Sequence, residues 1–231
     1  MALVKMKKFD LADLNFQEDF DLEKILGEEG VICLTGLDSA KIKEAYDIAI
    51  ALFRLPDKER RRIWNMGYHL ESDNPQIKKE NDREVFSVNN HEGNSVEEID
   101  VGLSESLDRV WDLFPELPNL RRTFGRMFEE WGDFFERHIV GCGQYGLDAF
   151  RYPPQPKGEF RVRAHRDGQY IISFKPRGEP LGVLLNGEVW FNEEIGDNEA
   201  LMLRPGVMHR VKRVQGNERY SLMAYSNIFP I

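Results

Sequence analysis

Hydrophobic and polar positions change their rhythm along the chain, and the changes outline its elements. Residues 20–26 are short and amphipathic, Gly30 breaks the pattern, and the apolar run Val31-Ile32-Cys33-Leu34 predicts a buried strand. Asp38 and Ser39 can cap a helix over 40–53, where Ile42, Ala45, Tyr46, Ala49 and Phe53 recur at helical spacing until Pro56 interrupts. Residues 63–100 are polar and irregular, rich in Asn, Asp and Glu, and predict a long surface segment, either a lid or plain solvated loop. A second helical block is expected over about 106–140, broken at 115–118 by prolines. Its aromatic stripe, Phe124, Phe128, Trp131, Phe134 and Phe135, has the spacing of a packed core face.

After Gly146 the texture becomes that of short strands. Turn pairs recur at Pro153-Pro154, Arg177-Gly178, Asn186-Gly187, Asp197-Asn198, Pro205-Gly206 and Gly216-Asn217. Asn186-Gly187 lies between Leu184-Leu185 and Val189-Trp190-Phe191, a strong hairpin signal. Such punctuation predicts a β-sandwich or barrel. The whole reads as one α+β domain over 1–231, with a mainly helical part, 1–145, packed on a β-rich part, 146–231.

Composition narrows the partners. Apolar residues make up 41% of the 231 and charged residues 31%, an ordinary globular balance. The net charge of −9 disfavours nucleic-acid backbones and anionic lipid, so a small-molecule partner is expected. The charge is uneven: residues 151–231 hold 12 Lys/Arg against 9 Asp/Glu, leaving 19 and 31 of the totals of 31 and 40 to residues 1–150. The two cysteines, Cys33 and Cys142, are expected as free thiols in a reducing cytosol. No stretch has the length of a membrane span and the first ten residues are not a secretory signal, so a soluble, cytoplasmic protein is expected.

The chemistry concentrates in the basic third. His165-Arg166-Asp167 sets a histidine and a carboxylate at i and i+2, which share one face of an extended segment. With His209 they make two imidazoles and one carboxylate, the donor set of non-haem iron(II) oxygenases, which leaves coordination positions open. On its own this pattern is weak, because any five histidines in an acidic chain can produce it. Arg219-Tyr220-Ser221 strengthens it. Arg219 and Ser221 are again at i and i+2, and a guanidinium fork beside a hydroxyl makes a carboxylate site. A surface salt bridge would also explain Arg219, but it predicts no fixed spacing from His209. His69 and His91 fall in the polar segment and His138 ends a helix. None has a carboxylate at ligand spacing within a strand.

Through Arg151-Tyr152-Pro153-Pro154, Ala164-His165-Arg166-Asp167, His209-Arg210-Val211 and Arg219-Tyr220-Ser221, the chain resembles the isopenicillin N synthase-like branch of the 2-oxoglutarate- and iron(II)-dependent dioxygenases. Upstream, Phe53-Arg54-Leu55-Pro56-Asp57-Lys58-Glu59 is similar to that family's "FF-LP-EEK" helix end, and Asp82-Arg83-Glu84-Val85-Phe86 to its "DWREMF" segment. The resemblance implies a double-stranded β-helix (jelly roll) core with flanking N-terminal helices. It implies iron held by His165, Asp167 and His209, and O2 and 2-oxoglutarate as co-reactants. It also implies that Arg219 and Ser221, with Tyr152, contact 2-oxoglutarate. The family's Asn-Tyr-Tyr-Pro motif is matched at Tyr152, but its asparagine position is Phe150. The implied reaction is oxidation, foremost hydroxylation, of a small molecule. Two alternatives stay open: an iron(II) oxidase of the same fold that does without 2-oxoglutarate, and a non-catalytic metal-binding jelly roll. Arg163, two residues before His165, is a further candidate, because plain alternation would set it on the metal face to select an anionic substrate.

Overall fold

A computed structural model describes residues 6–16, 21–56, 68–70, 83–89, 121–139, 142–154, 160–185, 189–191, 194–212, 214 and 216–228. Helix α1 (Leu11–Phe16) follows strand β1 (Lys8–Asp10), and α2 (Leu22–Leu26) precedes β2 (Val31–Thr35). The third helix, α3 (Ser39–Phe53), begins where the sequence pattern set it. The Asp38 carboxylate accepts from the backbone N–H groups of Ala40 and Lys41, each at 3.0 Å, so two donors of the first turn are satisfied by one cap. Among the described residues, β3 (Tyr68–Leu70) and β4 (Glu84–Asn89) come next. A π-helical turn, Arg121–Gly125, then runs straight into α4 (Arg126–His138).

The remaining strands are β5 (Cys142–Tyr152), β6 (Phe160–Arg166), β7 (Gln169–Phe174), β8 (Leu181–Leu185), β9 (Val189–Phe191), β10 (Ala200–Leu203), β11 (Met208–Lys212) and β12 (Arg219–Ile228). The described strands form two sheets. The larger has eight strands in the order β1-β2-β10-β7-β12-β5-β4-β3, and the smaller has four in the order β6-β11-β8-β9. The predicted hairpin is present as the antiparallel pair β8–β9, with Leu185 opposite Val189.

Each face of the larger sheet buries its own apolar set. Ile42, Tyr46, Ala49 and Phe53 of α3 and Trp131 and Phe135 of α4 pack on its outer face, against Leu147, Ile172, Leu222 and their neighbours. Gly132 is needed there, because a Cβ on it would lie 2.3 Å from the Tyr145 ring of β5. The inner face, with Phe150, Ile171, Leu201 and Leu203, meets Val162, Val183, Leu185 and Val211 of the smaller sheet in a second apolar layer. Strand alternation sends neighbouring residues into these two layers in turn. Both cysteines are free thiols. No described helix is long and apolar enough to cross a membrane.

Two boundaries differ from the sequence reading. Strands β1 to β4 all join the larger sheet, so the N-terminal part is less exclusively helical than its pattern suggests. Within 63–100, read as irregular, 68–70 and 84–89 are strands, and β4 is in register with β5 through Val85 opposite Phe150. Its short run Glu84-Val85-Phe86-Ser87-Val88-Asn89 becomes legible as a strand only beside that partner. The question of a lid over the rest of 63–100 lies outside the described residues, as does His91.

Candidate metal centre

Strands β6 and β11 are antiparallel neighbours, and their register sets His165 directly opposite His209. Side chains of such a pair project to the same face, and here the ring centroids are 4.2 Å apart. Asp167 follows the end of β6, where its carbonyl accepts from Gly206 N at 2.8 Å and ties the turn to the β10–β11 connection. Its Oδ1 lies 3.7 Å from His165 Nε2 and its Oδ2 lies 3.3 Å from His209 Nε2. One donor atom from each residue lies within 4.8 Å of the other two.

The hydrogen bonds of the rings decide what this cluster can do. His165 Nδ1 is 2.9 Å from the Arg163 carbonyl, and His209 Nδ1 is 3.1 Å from the Val207 carbonyl. A carbonyl can only accept, so each Nδ1 donates, and a neutral ring keeps its lone pair on Nε2. Two lone pairs thus face an ionised carboxylate, a repulsive arrangement unless a cation stands among them. This fits a divalent metal held by His165, Asp167 and His209. With protons on the rings in place of a metal, a hydrogen bond from His209 holds the Asp167 carboxyl below its usual range against burial, and the charges of His209, His165 and Arg83 add to it.

Arg219 and Ser221 occupy the inner face of the larger sheet at the start of β12, opposite Tyr152 and Phe150 of β5. Arg219 is 1% exposed. Its Nε donates to the Glu179 carbonyl at 2.8 Å, its Nη1 donates to Ser221 Oγ at 3.1 Å, and its guanidinium carbon lies 4.9 Å from the Tyr152 ring centre. Burial pushes its pKa down, countered by Tyr152 and Tyr46. Among the described residues no carboxylate stands within ion-pair distance of this cation. A buried charge in that condition is costly and calls for an anion.

The loop after β7 shapes this corner. Arg177 and Tyr220 exchange backbone hydrogen bonds of 2.9 and 3.0 Å, and Gly178, at φ +115°, turns the chain so that Glu179 can reach Arg219. A Cβ on Gly178 would lie 3.3 Å from Arg219 Cα and would be strained at that φ.

The structure brings the two histidines and Asp167 together and sets Arg219, Ser221 and Tyr152 on the inner face of the larger sheet. Arg163 stands apart. Between the pairs His209–His165 and Val211–Val162, β11 advances two residues and β6 three, which is a β-bulge. His165 and Val162 both project inward, while Arg163 and Ala164 stand opposite Arg210 and are exposed. The bulge removes the alternation that would have put Arg163 beside the metal donors. The sequence reading also missed the Glu179 carbonyl, which no side-chain pattern could reveal. It passed over Arg83 too, although Arg83 stands in the "DWREMF"-like segment two residues before an inward-facing valine.

No family model matches the chain, and no curated protein does. Solved structures do. A protein of the 2OG-Fe(II) oxygenase family from Caulobacter crescentus superposes with a TM-score of 0.66 at 17% identity, covering 96% of this chain and 86% of that one. A full-length Neurospora crassa protein in complex with alpha-KG gives 0.61 at 17% identity, covering 97% and 86%. The dioxygenase for auxin oxidation 1 of Arabidopsis thaliana, solved with 2-oxoglutarate, gives 0.58 at 15% identity, covering 98% and 94%. The chain has the fold shared by these 2OG-Fe(II) oxygenases. They support that fold at large and do not single out the isopenicillin N synthase-like branch.

Proposed function

We propose that the chain is an iron(II)-dependent oxygenase of the isopenicillin N synthase-like type, using 2-oxoglutarate to oxidise, foremost to hydroxylate, a small molecule. In this reading the two sheets are its double-stranded β-helix. The observation that carries it is Arg219: a buried guanidinium with no carboxylate partner among the described residues, on the same inner layer as a three-donor cluster that calls for a cation. A keto acid with a distal carboxylate answers both demands with one molecule. Solved structures of similar fold fit a small substrate: the Neurospora crassa protein has been crystallised with thymine and with 5-formyluracil, and the Arabidopsis protein is named for auxin oxidation.

His165 and His209 present Nε2 because their Nδ1 protons are already committed to backbone carbonyls, so no reorientation is needed on binding. Asp167, whose carboxyl lies below the usual carboxylate range, supplies the negative ligand. Iron(II), when bound there, supplies the redox chemistry that couples oxidation of the keto acid to oxidation of the substrate. Overall, 2-oxoglutarate, O2 and a substrate C–H become succinate, carbon dioxide and C–OH. Arg219 and Ser221 offer N–H and O–H donors to the distal carboxylate, and Tyr152 backs the guanidinium with its ring face. Glu179 locks the guanidinium plane through Nε. The apolar inner layer around them excludes water, which strengthens each of these contacts.

The test is succinate formation and oxygen uptake after anaerobic loading with iron(II). Stoichiometric succinate upholds the reading. Oxygen uptake without succinate would point to an oxidase that uses Arg219 for its substrate's own carboxylate. Absence of both, with metal bound, would leave a non-catalytic binding protein.

A further inference from the structure

Strand β12 loses a neighbour just where it carries Arg219 and Ser221. Its pairing with β7 ends at Met223 opposite Ser173, and the next residue bonded on that side is Tyr220, which exchanges backbone bonds with Arg177. Between these pairs β12 runs three residues and the β7 side four, so the two chains part around Leu222. Alternate residues of a strand bond to the same neighbour, so Leu222, two after Tyr220, directs its N–H into the gap. Tyr46 fills it. Its phenol oxygen, reaching from α3, accepts from Leu222 N at 3.0 Å, and the residue is 2% exposed. Without that acceptor the buried amide would bear its full desolvation cost. The Tyr46 ring is itself held from outside. The guanidinium carbon of Arg177 lies 5.2 Å from its centre, and Arg177 Nη2 is anchored on α3 by Asp47 Oδ1 at 2.7 Å and the Lys43 carbonyl at 3.3 Å.

The effect falls on the anion site. Tyr220 and Leu222 pack in the outer layer with Tyr46, so Arg219 and Ser221, which alternate with them, face inward. Tyr46 thus holds the backbone of β12 from behind, while the chain that has left the ladder brings the Glu179 carbonyl onto Arg219 Nε at 2.8 Å. Had β7 stayed paired through this stretch, it would have satisfied Leu222 and left Arg219 without that lock. We infer that Tyr46 is a positioning residue for the distal carboxylate of 2-oxoglutarate: it stands in for the departed strand and so keeps Arg219 and Ser221 in place. The inference rests on the oxygenase reading of Arg219 and adds to it a residue of the helical layer.

The probes are 2-oxoglutarate and pyruvate, which share the 2-oxo acid head and differ in the distal carboxylate. Each is titrated by calorimetry into the full chain loaded with manganese(II), well below the melting temperature of every variant. Wild type should bind 2-oxoglutarate about a hundredfold more tightly than pyruvate, the scale of a bidentate charge-assisted pair. Tyr46→Phe keeps the ring and removes the acceptor. It should weaken 2-oxoglutarate about tenfold, the scale of ordering one or two long side chains on binding, and leave pyruvate and manganese(II) within about twofold. In the Arg219→Met background the same substitution should change 2-oxoglutarate by no more than about threefold, because its main target is gone. Ile48→Val, in the same helix and layer, costs comparable stability and should leave the preference for 2-oxoglutarate as in wild type. Should Tyr46→Phe not fold, Arg177→Gln takes its place: it frees the ring from the surface side, with an expected loss of about threefold for 2-oxoglutarate alone. Constants equal to wild type, or equal losses on both acids, would overturn the inference and leave the cosubstrate reading standing. So would a tenfold loss that persists in the Arg219→Met background or recurs in Ile48→Val. Wild type that prefers neither acid sinks the cosubstrate reading, and this inference with it.

Discussion

Replacing Arg219 with methionine should separate the stability of the fold from the affinity for 2-oxoglutarate. The guanidinium is 1% exposed and has no carboxylate partner among the described residues, so the free protein bears its desolvation without a compensating ion pair. Methionine of similar volume removes that cost, and it also removes the bonds to the Glu179 carbonyl and Ser221 Oγ. Each lost bond costs about 1 kcal/mol, while relief of a buried charge returns a comparable amount, so the ligand-free melting temperature should move by only a few degrees. Ligand linkage should change far more. At a 2-oxoglutarate concentration of about 100 times Kd, wild type gains about 2.7 kcal/mol, or roughly 5–10 °C in a chain of this size. Loss of a bidentate charge-assisted pair, about 2–3 kcal/mol, weakens binding about a hundredfold. At the same concentration the variant then gains only about 0.4 kcal/mol, or roughly 1–2 °C. Thermal melts with manganese(II), with and without 2-oxoglutarate, read both quantities, and Arg219→Lys controls for charge. A variant whose ligand-induced shift equals that of wild type would place the carboxylate elsewhere.

Alanine at His165, Asp167 or His209 should abolish turnover and the metal-induced rise in melting temperature, with little change in the metal-free melt, because ligands of an open metal site serve function more than the core; any of these variants keeping wild-type metal affinity would remove that residue from the site. Gly178→Val should lower the melting temperature and weaken 2-oxoglutarate binding together, since it strains a φ of +115° and crowds Arg219; a variant indistinguishable from wild type in both would refute this. Arg151 bridges Glu84 at 2.8 Å and Glu218 at 2.9 Å, so Arg151→Met should cost about 1–3 kcal/mol at neutral pH. Burial pushes the Glu218 carboxyl up, but hydrogen bonds from Tyr220 and Arg151 hold it below its ordinary 4.5. A depressed carboxylate pKa stabilises above the unfolded value and loses that contribution as pH falls through the folded one. The gap in melting temperature between wild type and Arg151→Met should therefore be full near pH 7 and shrink below about 4.5; a gap independent of pH would exclude the ion-pair account.

Much of this site was legible without coordinates, because its signals are local. A histidine and a carboxylate two apart on a strand share a face whatever surrounds them, and the same holds for Arg219 and Ser221. The cap at Asp38, the apolar stripe of α3 and the β8–β9 pairing depend on residues close in sequence, so they too could be read from the chain. What only the tertiary structure decided depends on partners far away in sequence. The bulge that turns Arg163 outward arises from the count of residues between two pairs with β11, some 45 positions downstream in the chain, and no property of 160–166 alone reveals it. Strand β4 gains its identity from β5, and with it Arg83 gains a place over Phe150. The choice of Nε2 as the donor atom comes from the carbonyls of Arg163 and Val207, and the lock on Arg219 from the carbonyl of Glu179. Every residue carries such a carbonyl, so sequence cannot mark which ones act; the path of the backbone does.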